Sequence, residues 1–259
     1  MALTLLSILR MAKSITKALS GLLFIAVTFT ACDIGWIELG TSSCNFVTNS
    51  NGDRISWKSA LPIKFRIHES VPQEVYPSIY KAVDIWNQVS SKTVLSIIST
   101  NYKPSASTRD QIPAIYWMTE WESDKPLEQA RTTVRWIQTQ LVDADIKINT
   151  KNFQFFLDEE PSSYSKVDLV GVLVHELGHA LGFAHNEVRE SVMYYQLRKG
   201  YERRNANKGL VFHTTDVSSY QCEYGDDIVL ASFAEALSSG QSGAINGTTS
   251  GTASGASSP

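Results

Sequence analysis

Cysteine is scarce: the chain of 259 residues has three, at positions 32, 44 and 222. At most one bridge forms within the chain, so the fold must rest on an apolar core, and 43% hydrophobic with 10% aromatic residues supplies one. An excess of charge is missing too. The formal charge is −3, and the first 31 residues hold Arg10, Lys13 and Lys17 but no acid, so their removal takes it to −6. A mildly acidic surface has no phosphate-attracting field, which excludes a nucleic-acid binder. The apolar stretch near the N-terminus, Ala18 to Ala31, is too short to span a bilayer comfortably. Internal repeats are absent, so the expectation is one domain with appendages, acting as a monomer.

That apolar stretch follows three basic residues and has the length of a signal h-region, with Met1 or Met11 as the start. Residues 1–31 are therefore expected to be a signal peptide and the chain to be exported. The stretch ends "FTAC", which resembles the lipobox of bacterial lipoproteins, with Cys32 as the lipidated residue. Phe29 stands where leucine is typical, and the alternative is ordinary cleavage near Ala31 that leaves Cys32 free. Setting Cys32 aside leaves Cys44 and Cys222, an even pair in an exported chain and hence a disulfide. Residues 32–45 read as a connector and 46–237 as the folded domain. Residues 238–259, almost wholly Gly, Ser, Thr and Ala, cannot bury enough surface to fold and read as a flexible tail.

Within the domain, Leu61 to Ile67 alternates Ile63, Phe65 and Ile67 as a strand does. A helix opens near Pro77 and carries Ile79, Ala82, Val83, Trp86 and Val89 at helical spacing. Short β-like runs follow at 94–98, 114–118, 133–137 and 143–149, with loops at 99–113 and 121–128. Helices and strands mix without regular alternation, which predicts an α+β domain built on a twisted sheet.

Three of the five histidines fall in "VHELGHALGFAH". Ser165 and Asp168 fit a capping box, and the run from Asp168 reaches Gly182 without a breaker. Residues four apart share a helix face, so His175 and His179 project side by side and can bind one metal ion. Glu176 sits about 100° round the helix, at the edge of that site without being a ligand. Gly182 can take positive φ, ending the helix and returning His185 to the same metal. Three neutral imidazoles leave a fourth position open, as in a catalytic zinc site.

HExxHxxGxxH followed by a methionine turn resembles the metzincin zinc endopeptidases, here as His175, Glu176, His179, Gly182, His185 and Met193. The likeness within that clan is to the matrixins and their bacterial relatives, and it covers most of the domain. "WKSALPIKFRI" is similar to their first strand, "IYKAVDIWNQV" to their first helix, "VDADIKIN" to the strand written ADI, and "TTDVSSYQCEYG" to the C-terminal helix. The resemblance implies a metzincin-type α+β fold: a twisted mixed sheet, an active-site helix, a methionine turn with Met193 beneath the histidines, and a C-terminal helix. Two positions depart from the matrixin pattern. Tyr195 stands where matrixins place proline, as in astacins and serralysins, where that tyrosine serves zinc or the oxyanion; the alternative is a buried phenol. Asn186, after the third histidine, matches neither matrixin nor astacin usage.

The function implied is a zinc endopeptidase of the cell envelope, using a zinc-bound water with Glu176 as general base and Tyr195 as helper. Its partners would be protein or peptide substrates, and the membrane through a lipid anchor at Cys32. The strand "AIYWM" (114–118) is the candidate edge for an extended substrate. The rival is a non-catalytic zinc-binding envelope lipoprotein that recognises peptides; retention of Glu176 argues against it. His68 and His213 are too few for a second zinc, and acids such as Asp143, Asp158, Glu159 and Glu160 give no readable calcium pattern.

Overall fold

The structure, a computed structural model, describes residues 26–30, 44–58, 60–103, 110–157, 165–196, 210 and 212–225. Cys32, Asp158, Glu159, Glu160 and the tail lie outside them. The elements run β1 (Ala26–Thr30), β2 (Ile63–His68), α1 (Tyr76–Asn87), β3 (Leu95–Tyr102), β4 (Ala114–Met118), β5 (Ala130–Ile137), β6 (Gln140–Asn149), β7 (Phe155–Phe156), β8 (Val167–Asp168), α2 (Leu169–Leu181) and α3 (Thr214–Tyr224). No helix among the described residues is long and apolar enough to cross a membrane.

The main sheet has the order β1-β5-β6-β4-β2-β3. Strands β3, β2, β4 and β6 run parallel to one another, whereas β5 runs antiparallel to β6 and β1 antiparallel to β5. Ile63, Phe65 and Ile67 of β2 and Ala144, Ile146 and Ile148 of β6 are buried in the core, with Ile79, Ala82, Val83 and Trp86 of α1. All of α2 is buried. A helix with apolar residues on every face needs cover all round; α1 and the sheet provide it, and the Trp86 indole N–H donates to the Val174 carbonyl at 2.8 Å.

Three expectations need correction. The strand 114–118 is no edge: β4 lies between β2 and β6, and the edge strands of the sheet are β1 and β3. The helix does not begin with a Ser165 capping box. Its N-cap is Asp168, which makes no side-chain capping bond, because residues 167 and 168 are held extended by pairing with β7. Residues 99–102, expected in a loop, continue β3.

Cys44 and Cys222 are joined by a disulfide, with Cα atoms 5.9 Å apart and 178 residues of separation. Closing so long a loop restricts the unfolded chain, worth roughly 2–4 kcal/mol. The bridge ties α3 to the segment that pairs with the end of α2, where Val47 donates to Gly182 and Ala184 to Asn45.

The face of β6 opposite the helices carries Asp143 and Asp145, both buried and both paired with Arg135, at 3.3 Å for Asp145. Asp143 thus already has a cationic partner. Burial pushes Asp145 up to about 7, reinforced by the charge of Asp143 and opposed by Arg135, and its Oδ1 has no hydrogen-bond partner among the described residues. Between about pH 4, where an unfolded aspartate titrates, and pH 7, the folded state holds a proton that the unfolded state releases, so this group lowers stability as pH rises through that window. Asp145→Asn is expected to raise the melting temperature at pH 8 by roughly 2–8 °C and to do nothing near pH 4. A thermal-melt series across pH checks this, and an equal effect at both ends would contradict it.

Candidate active site

The end of α2 shows how the histidines are set. A helix leaves its last four carbonyls without intrahelical partners. Here Gly178 and His179 receive the Gly182 N–H, Gly178 also receives Phe183, the Trp57 indole donates to Ala180 at 2.6 Å, and the Tyr224 phenol donates to Leu181 at 2.5 Å. Gly182 has φ 102°, a region that favours glycine. A Cβ there would also meet the Ile55 carbonyl at 2.9 Å. With every carbonyl occupied the helix stops, and the turn carries His185 back beside His175 and His179.

The three Nε2 atoms stand 3.1, 3.1 and 3.2 Å apart. The His175 Nδ1 donates to the Val192 carbonyl at 2.7 Å and the His179 Nδ1 to the Phe183 carbonyl at 2.8 Å. A carbonyl only accepts, so each of these rings carries its proton on Nδ1 and turns an Nε2 lone pair inward. Burial holds His179 well below its usual value and His185 at about 4, so the rings are neutral, as ligands must be. Nitrogens at ~2.0–2.1 Å from a tetrahedral zinc stand about 3.3–3.4 Å apart. The triangle is within a few tenths of an ångström of that, and three imidazole lone pairs aimed at one point suit a metal cation. Among the described residues this is the one group of three or more potential ligands close enough for a metal.

Glu176 is fully buried next to this triad. Its Oε2 accepts from the Thr132 hydroxyl at 2.6 Å, and its Oε1 has no partner among the described residues. Burial pushes its carboxyl up to about 8, opposed by the Thr132 hydrogen bond.

Met193 is 2% exposed beneath the histidine helix. A Cβ on Gly178 would stand 2.3 Å from the Met193 sulfur and 3.1 Å from the Trp86 ring, so a larger residue there would push the Met193 side chain from its place under the helix. The Ser191 hydroxyl holds the turn: it accepts from the Met193 N–H at 2.9 Å and from the Asn186 amide at 2.6 Å, and donates to Asp216 of α3. Asp216 also accepts from the Val192 N–H at 3.0 Å and the His213 N–H at 2.9 Å. Asn186, the departure in the sequence, is thus a tie across the methionine turn.

Tyr195 is 41% exposed, its ring 4.4 Å from that of Tyr194, so the alternative of a buried phenol does not hold. His68 accepts from the Ser70 N–H at 3.0 Å, and His213 caps α3 by accepting from Thr215 at 3.2 Å. Thr132, Gly178 and Asp216 were not singled out in the sequence. Gly178 and Asp216 left a trace, the first as the small residue inside HELGH, the second as an acid in the first turn of α3. Thr132 left none, being 44 residues from the carboxylate it touches.

Residues 56–225 match the matrixin family, peptidase M10. Metalloendoproteinase 4-MMP of Arabidopsis thaliana is 41% identical over 68 residues, an alignment that covers 26% of this chain and 18% of that protein. The chain therefore aligns with less than a fifth of that relative's length. The family match runs from the residues before β2 to the end of α3, which makes this α+β arrangement the metzincin one, and the chain belongs to the matrixin family.

Proposed function

We propose that the protein is a zinc-dependent endopeptidase that cleaves extracytoplasmic proteins within an extended stretch of chain. The observation that carries the reading is the inward-facing triangle of Nε2 atoms beside a buried carboxylate with one unengaged oxygen. His175, His179 and His185 would hold zinc, which supplies Lewis acidity and makes water a nucleophile near neutral pH. Glu176 takes the proton of the attacking water and returns it to the leaving amine, base in one step and acid in the next. Its raised affinity for protons suits that exchange.

The substrate edge is β5. An exposed strand edge binds extended peptides through main-chain hydrogen bonds, and β5 has the capacity to do so: β1 pairs with it antiparallel, Phe29 opposite Thr132. Residues 26–30 belong to the expected signal segment, so cleavage near Ala31 would free the same edge for substrate. Lipidation of Cys32 would then hold the domain at a membrane surface; intact mass of the mature chain tests it, through the mass of the added lipid.

To Tyr195, two residues past Met193 and exposed, we assign the steadying of the developing oxyanion. Tyr195→Phe is expected to lower kcat by about 10-fold or more with KM little changed. Unaltered kcat would put the phenol outside the reacting centre.

A quenched peptide library assayed beside single-residue amides tests the reaction class. Cleavage at internal bonds only is the expected result. Turnover of the amides alone would make the protein a small-amide hydrolase, and tight peptide binding without cleavage would make it a binding lipoprotein.

A further inference from the structure

Glu176 must change its proton without changing its place, and a single side chain is positioned to ensure this. Thr132 lies on β5, fully buried, and faces α2. Its hydroxyl stands 2.6 Å from Glu176 Oε2 and 3.0 Å from the Glu176 backbone carbonyl. A threonine hydroxyl has one proton to give. A distance of 2.6 Å is in the short range of charge-assisted O–H···O⁻ bonds, so the proton lies toward the carboxylate while Glu176 is ionised.

We propose that Thr132 is a positioning residue for the Glu176 carboxylate: its hydroxyl holds Oε2 and leaves Oε1 as the oxygen that exchanges the proton with the reacting water. The two oxygens of a free carboxylate are equivalent; here one is engaged and the other has no partner among the described residues. A glutamate side chain has three rotatable bonds, and the Thr132 bond fixes the last of them. With residues 26–30 removed, the same strand would present the substrate edge, so a peptide that pairs with β5 in place of β1 would be registered directly against the residue that aims the base. Docking and proton transfer thus share one rigid element, which is how a preorganised site keeps reacting atoms in line.

The inference rests on the endopeptidase reading for its kinetic consequence but not for its structural one, and the test separates them. Thr132→Val keeps the shape and removes the donor; Thr132→Ser keeps the donor and removes a methyl group. In the zinc-loaded protein Thr132→Val is expected to lower kcat about 10- to 100-fold with KM within about twofold and zinc content unchanged, and Thr132→Ser is expected to recover most of the loss. A high-resolution crystal structure of Thr132→Val supplies a readout that needs no activity: the Glu176 carboxylate is expected in more than one rotamer, against one in the parent and in Thr132→Ser. Full kcat in Thr132→Val, failure of Thr132→Ser to recover it, or a single unchanged Glu176 rotamer in both variants overturns the proposal. Should the parent cleave no peptide, the endopeptidase reading fails and the rotamer comparison alone decides the role of Thr132.

Discussion

Glu176→Gln is expected to lower kcat/KM by roughly two to four orders of magnitude while the protein stays folded and keeps its zinc. Glutamine preserves the volume and still accepts from the Thr132 hydroxyl, so the change is confined to the loss of a proton acceptor. Two of the three imidazoles are held without Glu176: the Nδ1 atoms of His175 and His179 bond to the Val192 and Phe183 carbonyls. In the metal-free protein the parent carboxylate is also unfavourable for stability, since burial pushes its pKa up to about 8. Removing a buried charge of that kind leaves stability equal or higher near pH 8. Activity and stability are therefore expected to move apart, as they do where a group is retained for chemistry at the expense of stability. Steady-state kinetics, a thermal melt and zinc analysis on one preparation check this. Loss of zinc or of fold together with activity would assign Glu176 a structural role instead.

Asp216→Ala is expected to be the most damaging change away from the metal. The carboxylate accepts from the Ser191 hydroxyl and from the N–H groups of Val192 and His213, all at a nearly fully buried site. Hydrogen bonds to a charged group contribute about 1.5–3 kcal/mol each, and their donors would be left unpaired, so a loss of about 3–5 kcal/mol is expected. In a domain of this size that lowers the melting temperature by roughly 10 °C. The effect also reaches the metal. Val192, held through its N–H by Asp216, uses its carbonyl to orient His175, and loss of such an outer partner weakens metal affinity about 10- to 100-fold. Competition with a zinc chelator measures this directly; unchanged affinity in a destabilised variant would break the link between α3 and the metal site. Asp216→Asn, which keeps one acceptor oxygen, is expected to fall between the two.

The histidine motif was legible because metal geometry imposes local spacing: His175 and His179 must be four apart on one helix, and the turn after Gly182 must be short. The strand and helix of the first half were legible for a similar reason, since Ile63, Phe65 and Ile67 and the apolar face of α1 repeat at short periods. Strand order is not local, and there the reading failed. "AIYWM" carries a continuous apolar run, which is what a strand buried between two parallel neighbours has and an edge does not. β5, the edge proposed for substrate once residues 26–30 are removed, alternates Thr132, Val134 and Trp136 inward with Arg131, Thr133 and Arg135 on the other face. The Ser165 capping box failed because pairing between β7 and β8 outweighs a local capping preference. Thr132 and Asp216 were hidden because each acts on a residue that only tertiary folding brings near.

The central claim is that one zinc ion at His175, His179 and His185 makes this chain a peptidase. Titrating the metal-free protein with zinc while following cleavage of a quenched peptide tests it most directly. Activity is predicted to rise linearly and to level off at about one equivalent of zinc per chain, as expected for three imidazoles sharing one ion, and to be absent throughout in His179→Ala. Cleavage that survives removal of the metal, or that persists in His179→Ala, would contradict the account.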